Sequence, residues 1–132
     1  MLGRKNYTPE EIAAARAAVG RQLAAYDALA GARSERAAEA TYFAATLMAL
    51  DRTFVHRVRT VTGKDTNPLS EVELLVDALM LEGGILPPTT VVRYVPEESV
   101  LGLKVGDTVA PTRDDFERLA TAFLDTIEAR CH

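Results

Sequence analysis

Basic side chains crowd one short stretch in the middle of this sequence: Arg52, His56, Arg57, Arg59 and Lys64. A helix is predicted to begin just afterwards, capped by Asn67, and the free backbone N–H groups at a helix start attract anions. Together, these groups could bind a phosphate or a carboxylate. Cations near the end of a helix also offset its macrodipole, and that role requires no ligand. The stretch is therefore a candidate anion site, with dipole compensation as the alternative.

Asp51 is the most unusual charge, because it projects into the apolar face of a predicted helix. At about 100° per residue, its side chain lies close to those of Leu47, Phe54 and Val58. A carboxylate in such surroundings must be paired, hydrogen-bonded or protonated. We therefore expect Asp51 to be more than half buried. It is either part of a structural hydrogen-bond or ion-pair network or a catalytic acid or base, and both alternatives remain open.

Other kinds of site chemistry have little support in the sequence. The two histidines, His56 and His132, form no Glu-x-x-His or His-x-x-x-His pair, so we predict no metal site and no cofactor. The loop after Thr62 has no G-x-x-x-x-G-K-[ST] pattern and is not a P-loop. Neither a G-x-S-x-G elbow nor a G-x-G-x-x-G fingerprint occurs. No catalytic residue can be named.

Four helices must position these residues, over about residues 9–31, 34–62, 68–82 and 113–130. The second carries an apolar stripe with helical spacing and contains no Pro or Gly: Phe43, Leu47, Leu50, Phe54, Val58 and Val61. Gly31 ends the first helix and Ser34 caps the second, which predicts a long αα-hairpin. Gly20 lies inside the first helix at a cost of up to about 1 kcal/mol relative to Ala, so another backbone could approach it closely.

The helix starts and the segment before the last helix carry their own local signals. Thr8 with Glu11, and Thr112 with Asp115, have the spacing of capping boxes. Asn67 caps the third helix ahead of Pro68, and Ser70 with Glu73 offers a second box there. Between the third and fourth helices, β-branched and aromatic residues predict strands over about residues 90–95, 100–105 and 108–110. The predicted fold is α+β: mainly helical, with a small antiparallel hairpin or meander.

Composition places the chain among ordinary globular proteins. With 132 residues, 26% charged and 48% hydrophobic, residues 1–132 are expected to form a single domain. One cysteine and no apolar run long enough for a membrane span favour a cytoplasmic protein that does not enter the membrane. The net charge of −4 divides into +3 for residues 1–66 and −7 for residues 67–132, which makes nucleic-acid binding unfavourable.

A family resemblance is carried by LDRTFVHRVRTVTGKDTNPLSEVELL, which runs from Leu50 to Leu75. This segment, with the later SVLGLKVGDTV and DDFERLATAF, resembles a signature of small actinobacterial proteins for which no activity is established. The likeness covers most of residues 42–128 and implies no activity or cofactor. If such a family has a site, the matching residues are Asp51, Arg52, His56, Arg57, Arg59, Lys64, Asp65, Asn67 and Glu71.

The leading functional hypothesis is a non-catalytic module that self-associates or docks on a protein partner. A continuous helix from Ser34 to Thr62 would be about 43 Å long, whereas a compact domain of this size is about 36 Å across. We therefore expect a homodimer that covers the excess length. The alternative is a small-anion or ligand-binding protein, or an enzyme, that uses the Asp51–Glu71 region. An exposed Ala-rich helix face would favour the module, and a pocket where the second and third helices meet would favour the alternative.

Overall fold

In the residues that the structure describes, five α-helices, four of them long, form the framework. The computed structural model describes residues 3–30 and 35–131. Its helices are α1 (Pro9–Ala30), α2 (Arg36–Thr53), α3 (Arg59–Thr62), α4 (Pro68–Leu81) and α5 (Arg113–Arg130), with a 3-10 turn at Pro96–Glu98. These ranges contain isolated β-bridges but no strand and no sheet. The predicted α+β class is therefore wrong, and the described chain is helical.

The core forms where the apolar faces of the helices meet. α5 packs against α1, α2 and α4, and α2 also contacts α1 and α4. The Phe43 ring of α2 stacks on the Phe116 ring of α5 with centroids 5.4 Å apart, and Phe54 lies 5.7 Å from Phe123. All four rings are fully buried. Since each fully buried aromatic side chain contributes up to about 3 kcal/mol of transfer free energy, these contacts hold the helices together.

The predicted long helix is interrupted. α2 ends at Thr53, a turn follows, and the chain returns to a helix only at Arg59. At the break, the amide of Arg4 donates to the carbonyl of His56 over 2.5 Å, and the amide of Val58 donates to the carbonyl of Arg4 over 3.1 Å. The N-terminal segment thus bonds to one carbonyl and one amide that would pair within α2 if the helix were continuous. Phe54, at the end of α2, keeps its place in the core, whereas Val58 and Val61 beyond the break are only partly buried.

The interruption removes the length argument for a homodimer. With 18 residues, α2 is about 27 Å long, which is less than the diameter of about 36 Å expected for the domain. No excess length remains to be covered by a second chain. Self-association therefore needs support from another part of the surface.

The predicted strands at 90–95, 100–105 and 108–110 are absent because their backbone donors bond elsewhere. Arg93 N–H donates to the carbonyl of Lys64 over 2.7 Å, and Val95 N–H donates to the Thr66 hydroxyl over 2.7 Å. The amides of Val100 and Leu101 donate to the carboxylate of Glu71. Within the described ranges, a single bridge, Ile85 to Thr108, has antiparallel pairing. Strand propensity is thus overridden by bonds to the α3–α4 loop and to α4.

Most helix starts follow the local signals. The capping boxes of Thr8 with Glu11 and of Thr112 with Asp115 are confirmed. Asn67 caps α4 as predicted, but its box partner is Ser70, so the predicted box of Ser70 with Glu73 is wrong. The predicted helix end at Gly31 and the cap at Ser34 lie outside the described residues.

Candidate functional site

A charged cleft of about 310 Å³ opens where α2 ends, beside α3 and one face of α4. Its charged walls come from four segments: Asp51 from α2, Arg57 from the turn, Arg59 from α3, and Glu73 and Asp77 from α4. Val55 and Thr62 complete the lining. The break in the predicted long helix creates this cleft, because it turns Arg57 and Arg59 toward α4.

Asp51 and Arg57 form the most buried ion pair of the described chain. Their side chains are 20% and 6% exposed, and Nη2 of Arg57 lies 2.9 Å from the Asp51 carboxylate. Nη1 of Arg57 donates to the carbonyl of Phe54 over 3.0 Å, and its guanidinium carbon lies 5.2 Å from the ring centroid of Phe123. Because the guanidinium of Arg57 is removed from water, its charge must be compensated, and Asp51 provides that compensation.

Arg59 is neutralised in the same way by Glu73. The guanidinium makes two parallel hydrogen bonds to the carboxylate, of 2.5 and 3.1 Å, which is the fork geometry that Arg favours. Arg59 also donates to the carbonyl of Gly63 over 3.1 Å at the end of α3, while its bonds to Glu73 tie α3 to α4. Both arginines that line the cleft are therefore already committed to carboxylates.

Asp77 is the carboxylate left over. It has no ion pair or hydrogen bond within the described part of the chain, although it lines the same cleft. Burial raises the pKa of Asp77, and the charges of Glu73 and Asp51 raise it further, against a smaller lowering by Arg57 and Arg59. Three carboxylates and two guanidinium groups leave the cleft with a net charge of −1.

The predicted anion site is not assembled as the sequence suggests. Arg52, His56 and Lys64 are exposed, and none of them lines the cleft. Asn67 is buried, where its Oδ1 accepts from the amides of Leu69 and Ser70 and its Nδ2 donates to the carbonyl of Thr62. The backbone donors at the start of α4 therefore bond within the protein, and they are not available to bind an anion.

Glu71 is the buried charge that sequence reasoning missed. Its side chain is 1% exposed, and its two carboxylate oxygens accept from the amides of Val100 at 2.7 Å and Leu101 at 3.0 Å. Burial raises the pKa of Glu71, while these two bonds and the charge of Arg118 act in the opposite direction with smaller effect. A signal existed: Glu71 shares a helix row with Leu75 and Ala78, both of which are core residues.

We expect a specific pH dependence from Glu71. Because its pKa is raised in the folded protein above the ordinary value of 4.5, its stabilising contribution is fully present below that value and is lost as the pH rises through the raised pKa. Wild-type protein should therefore lose stability relative to Glu71→Gln as the pH rises from about 4 to 7. Urea unfolding of both proteins across this range measures the difference. A relative gain for wild type would show that the two backbone bonds outweigh burial.

The outer face of α1 is a second candidate surface. It consists of small residues at helical spacing, all exposed: Ala13, Ala17, Gly20, Ala24 and Ala28. Apart from the neighbouring residues and the backbone of its own helix, a Cβ placed on Gly20 would meet no described atom within 4 Å. Beside this face, an apolar groove of about 510 Å³ is lined in part by Ile12 and Ala13, next to the ion pair of Arg16 with Glu128. Within residues 3–30 and 35–131, no segment makes the close backbone approach that Gly20 suggests.

Metal, membrane and nucleophile chemistry gain no support from the geometry. Over residues 3–30 and 35–131, no three His, Cys, Asp or Glu side chains are grouped to hold a metal ion. None of the helices in these ranges combines the length and apolar composition needed to cross a bilayer. Burial raises the pKa of the Cys131 thiol, whereas reactive thiols have lowered values.

Comparison with known proteins assigns no function to this chain. The chain matches no protein-family model, no curated protein and no solved structure. The likeness to small actinobacterial proteins therefore remains a prediction.

Proposed function

We propose that this protein is a non-catalytic self-association module, and that two copies pair through the outer face of α1. The observation that carries this proposal is Gly20, an exposed glycine in the interior of a long helix with open space at its Cβ position. Glycine costs about 0.8–1 kcal/mol relative to alanine at such a place. Nothing within the described chain explains that cost, whereas a second helix that approaches closely would.

The surroundings of Gly20 suit a helix pair. The small-residue face from Ala13 to Ala28 is about 22 Å long, and side chains of this size let two helix axes approach to about 8 Å. The apolar groove beside Ala13 extends the surface toward α5 and adds area to the contact. A two-fold pair uses the same face on both copies, and it should bury at least about 1,000 Å² in total.

Gly20→Leu is expected to separate folding from association. Leucine is the better helix former, so the isolated chain should gain up to about 1 kcal/mol of stability. The same side chain blocks close approach, so the dimer should dissociate about tenfold or more readily. Light scattering at micromolar concentration should give twice the chain mass of 14.3 kDa for wild type and a mass near 14.3 kDa for the variant.

Ala45→Leu is the matched control, because Ala45 is an exposed alanine on α2 outside the proposed interface. This variant should keep the wild-type mass. Loss of the dimer in Ala45→Leu but not in Gly20→Leu would place the interface on α2. A wild-type mass of one chain at all accessible concentrations would contradict self-association altogether.

A further inference from the structure

We infer that residues 3–6 are a strap that keeps α2 and α3 separate, and that its release lets residues 36–62 form one continuous helix. The strap lies along the turn between the two helices, where the backbone of Arg4 bonds to the carbonyl of His56 and to the amide of Val58. The chain would thus have two conformations, with the strap bound or released. This switch is independent of the α1 face proposed for self-association.

The turn between α2 and α3 is already bonded like a tightened helix. The amides of Phe54, Val55 and Arg57 donate to carbonyls three residues earlier, over 3.1, 3.3 and 3.2 Å. An α-helix uses the carbonyl four residues earlier, so a change of acceptor by one residue converts this turn into an α-helix. Residues 54–62 contain neither Pro nor Gly, and their apolar residues keep the helical spacing. Sequence and local bonding therefore both favour continuity.

The backbone of Arg4 blocks this conversion. In a continuous helix, the amide of Val58 would donate to the carbonyl of Phe54, four residues earlier. The carbonyl of His56 would accept from the amide of Thr60. Arg4 uses both groups instead, since its amide donates to His56 and its carbonyl accepts from Val58. The bound strap and the continuous helix therefore exclude each other.

The fit of the strap depends on a glycine. A Cβ placed on Gly3 would overlap Cγ1 of Val58 and would lie 3.0 Å from the carbonyl oxygen of His56. Any side chain at this position would therefore push the strap away from the turn.

Tyr7 anchors the chain just beyond the strap. Its amide donates to the carbonyl of Cys131, and its ring lies 4.8 Å from the ring of Phe54. Tyr7 is 3% exposed and belongs to the core. The strap can leave the turn while this anchor stays in place, so its release is a local opening and not an unfolding of the domain.

Release of the strap would rearrange the charged cleft. Asp51 and Arg57 are six residues apart, and on a helix only residues three or four apart face each other. The continuous helix would therefore separate this pair, and it would also carry Arg59 away from Glu73. Both ion pairs favour the broken helix, so the strap acts together with them.

The connection to α4 is long enough for this change. α2 would lengthen by about 14 Å if it continued to Thr62. The loop at residues 63–67 can span about 17 Å when it is extended, so α4 can keep its place in the core.

The test compares Arg4→Pro with Arg4→Ala in nuclear magnetic resonance spectra of the full chain. Both substitutions remove the ion pair of Arg4 with Glu11, but only proline removes the amide that bonds to His56. In Arg4→Pro, the Cα chemical shifts of residues 54–58 should move to helical values. The amide of Thr60 should exchange with solvent at least about tenfold more slowly than in wild type. Arg4→Ala should keep the wild-type shifts, because the lost ion pair is half exposed and contributes little.

Two further variants complete the test. Gly3→Ala displaces the strap by contact with Val58 and should give the same helical shifts as Arg4→Pro. Asp51→Ala should shift the urea midpoint less in the Arg4→Pro background than in wild type, because the pair with Arg57 is already separated there.

Three outcomes would overturn the proposal. Random-coil shifts at residues 54–58 in both Arg4→Pro and Gly3→Ala would show that the released segment has no helical alternative. Wild-type shifts in both variants would show that the ion pairs hold the break without the strap. Helical shifts in Arg4→Ala would show that the side chain of Arg4, and not its backbone, controls the turn.

Discussion

Asp51→Ala is expected to lower the free energy of unfolding by about 3–5 kcal/mol, which is the range for breaking a buried ion pair from one side. The carboxylate is the only anionic partner of Arg57 in the described chain, and the side chain of Arg57 is 6% exposed. Without Asp51, the guanidinium would keep its hydrogen bond to the carbonyl of Phe54 but would stay buried as an uncompensated charge. Urea unfolding at neutral pH measures the change as a shift of the midpoint.

Two variants separate the buried charge from other effects of the substitution. The double variant Asp51→Ala with Arg57→Met removes both charges, so it should be more stable than Asp51→Ala alone. Asp125→Ala breaks a pair of similar length, 3.0 Å to Arg16, in which the carboxylate is 63% exposed. That change should cost no more than about 1 kcal/mol. Equal midpoints for wild type and Asp51→Ala would refute the assigned role of the pair.

Signals that act within one turn of the chain could be read from the sequence. Thr8, Asn67 and Thr112 each accept bonds from amides two or three residues ahead, so their function depends on local spacing alone. The apolar stripes are equally local, because a helix period places residues such as Phe43, Leu47 and Phe54 on one side whatever they pack against. These features predicted the helices and most of the core.

Features that depend on distant partners could not be read in this way. Arg4 interrupts the predicted long helix by bonding at His56 and Val58, more than fifty positions away in the sequence. Glu71 likewise takes the amides of Val100 and Leu101, which a strand would have used. In both cases a tertiary hydrogen bond replaces a local one at similar free energy, so propensity cannot decide between them.

The candidate site was predictable in part. The sequence indicated Arg57 and Arg59 as part of an anion site, and it indicated Asp51 as a separate buried charge. Their pairing depends on Glu73 and on the turn after Thr53, which brings α3 against α4. A count of cations along one helix could not include Glu73 and Asp77, because another helix contributes these carboxylates.

Asn67→Ala is expected to cost about 2–4 kcal/mol, more than an ordinary helix cap, because Asn67 joins two structures. Its Oδ1 caps α4 through the amides of Leu69 and Ser70. Its Nδ2 donates to the carbonyls of Thr62 at 2.8 Å and Asp65 at 3.2 Å, which fixes the end of α3 beside the start of α4. Alanine would remove the cap and also leave the carbonyl of Thr62 with only the longer bond from Nη1 of Arg130, at 3.3 Å.

Thr112→Ala is the matched control, since Thr112 caps α5 with one amide and, among the described residues, makes no comparable bond to a preceding helix. Its cost should be about 0.5–2 kcal/mol, as for caps in general. Asn67→Asp is the sharper variant: aspartate caps helices as well as asparagine does, and its charge suits a helix start. Here it would place an oxygen against the carbonyls of Thr62 and Asp65, so we expect a loss of about 1–3 kcal/mol instead of a gain. Wild-type stability in Asn67→Asp, measured by urea unfolding, would show that Asn67 acts as a cap alone and that α3 is held in place by Arg59 and Glu73.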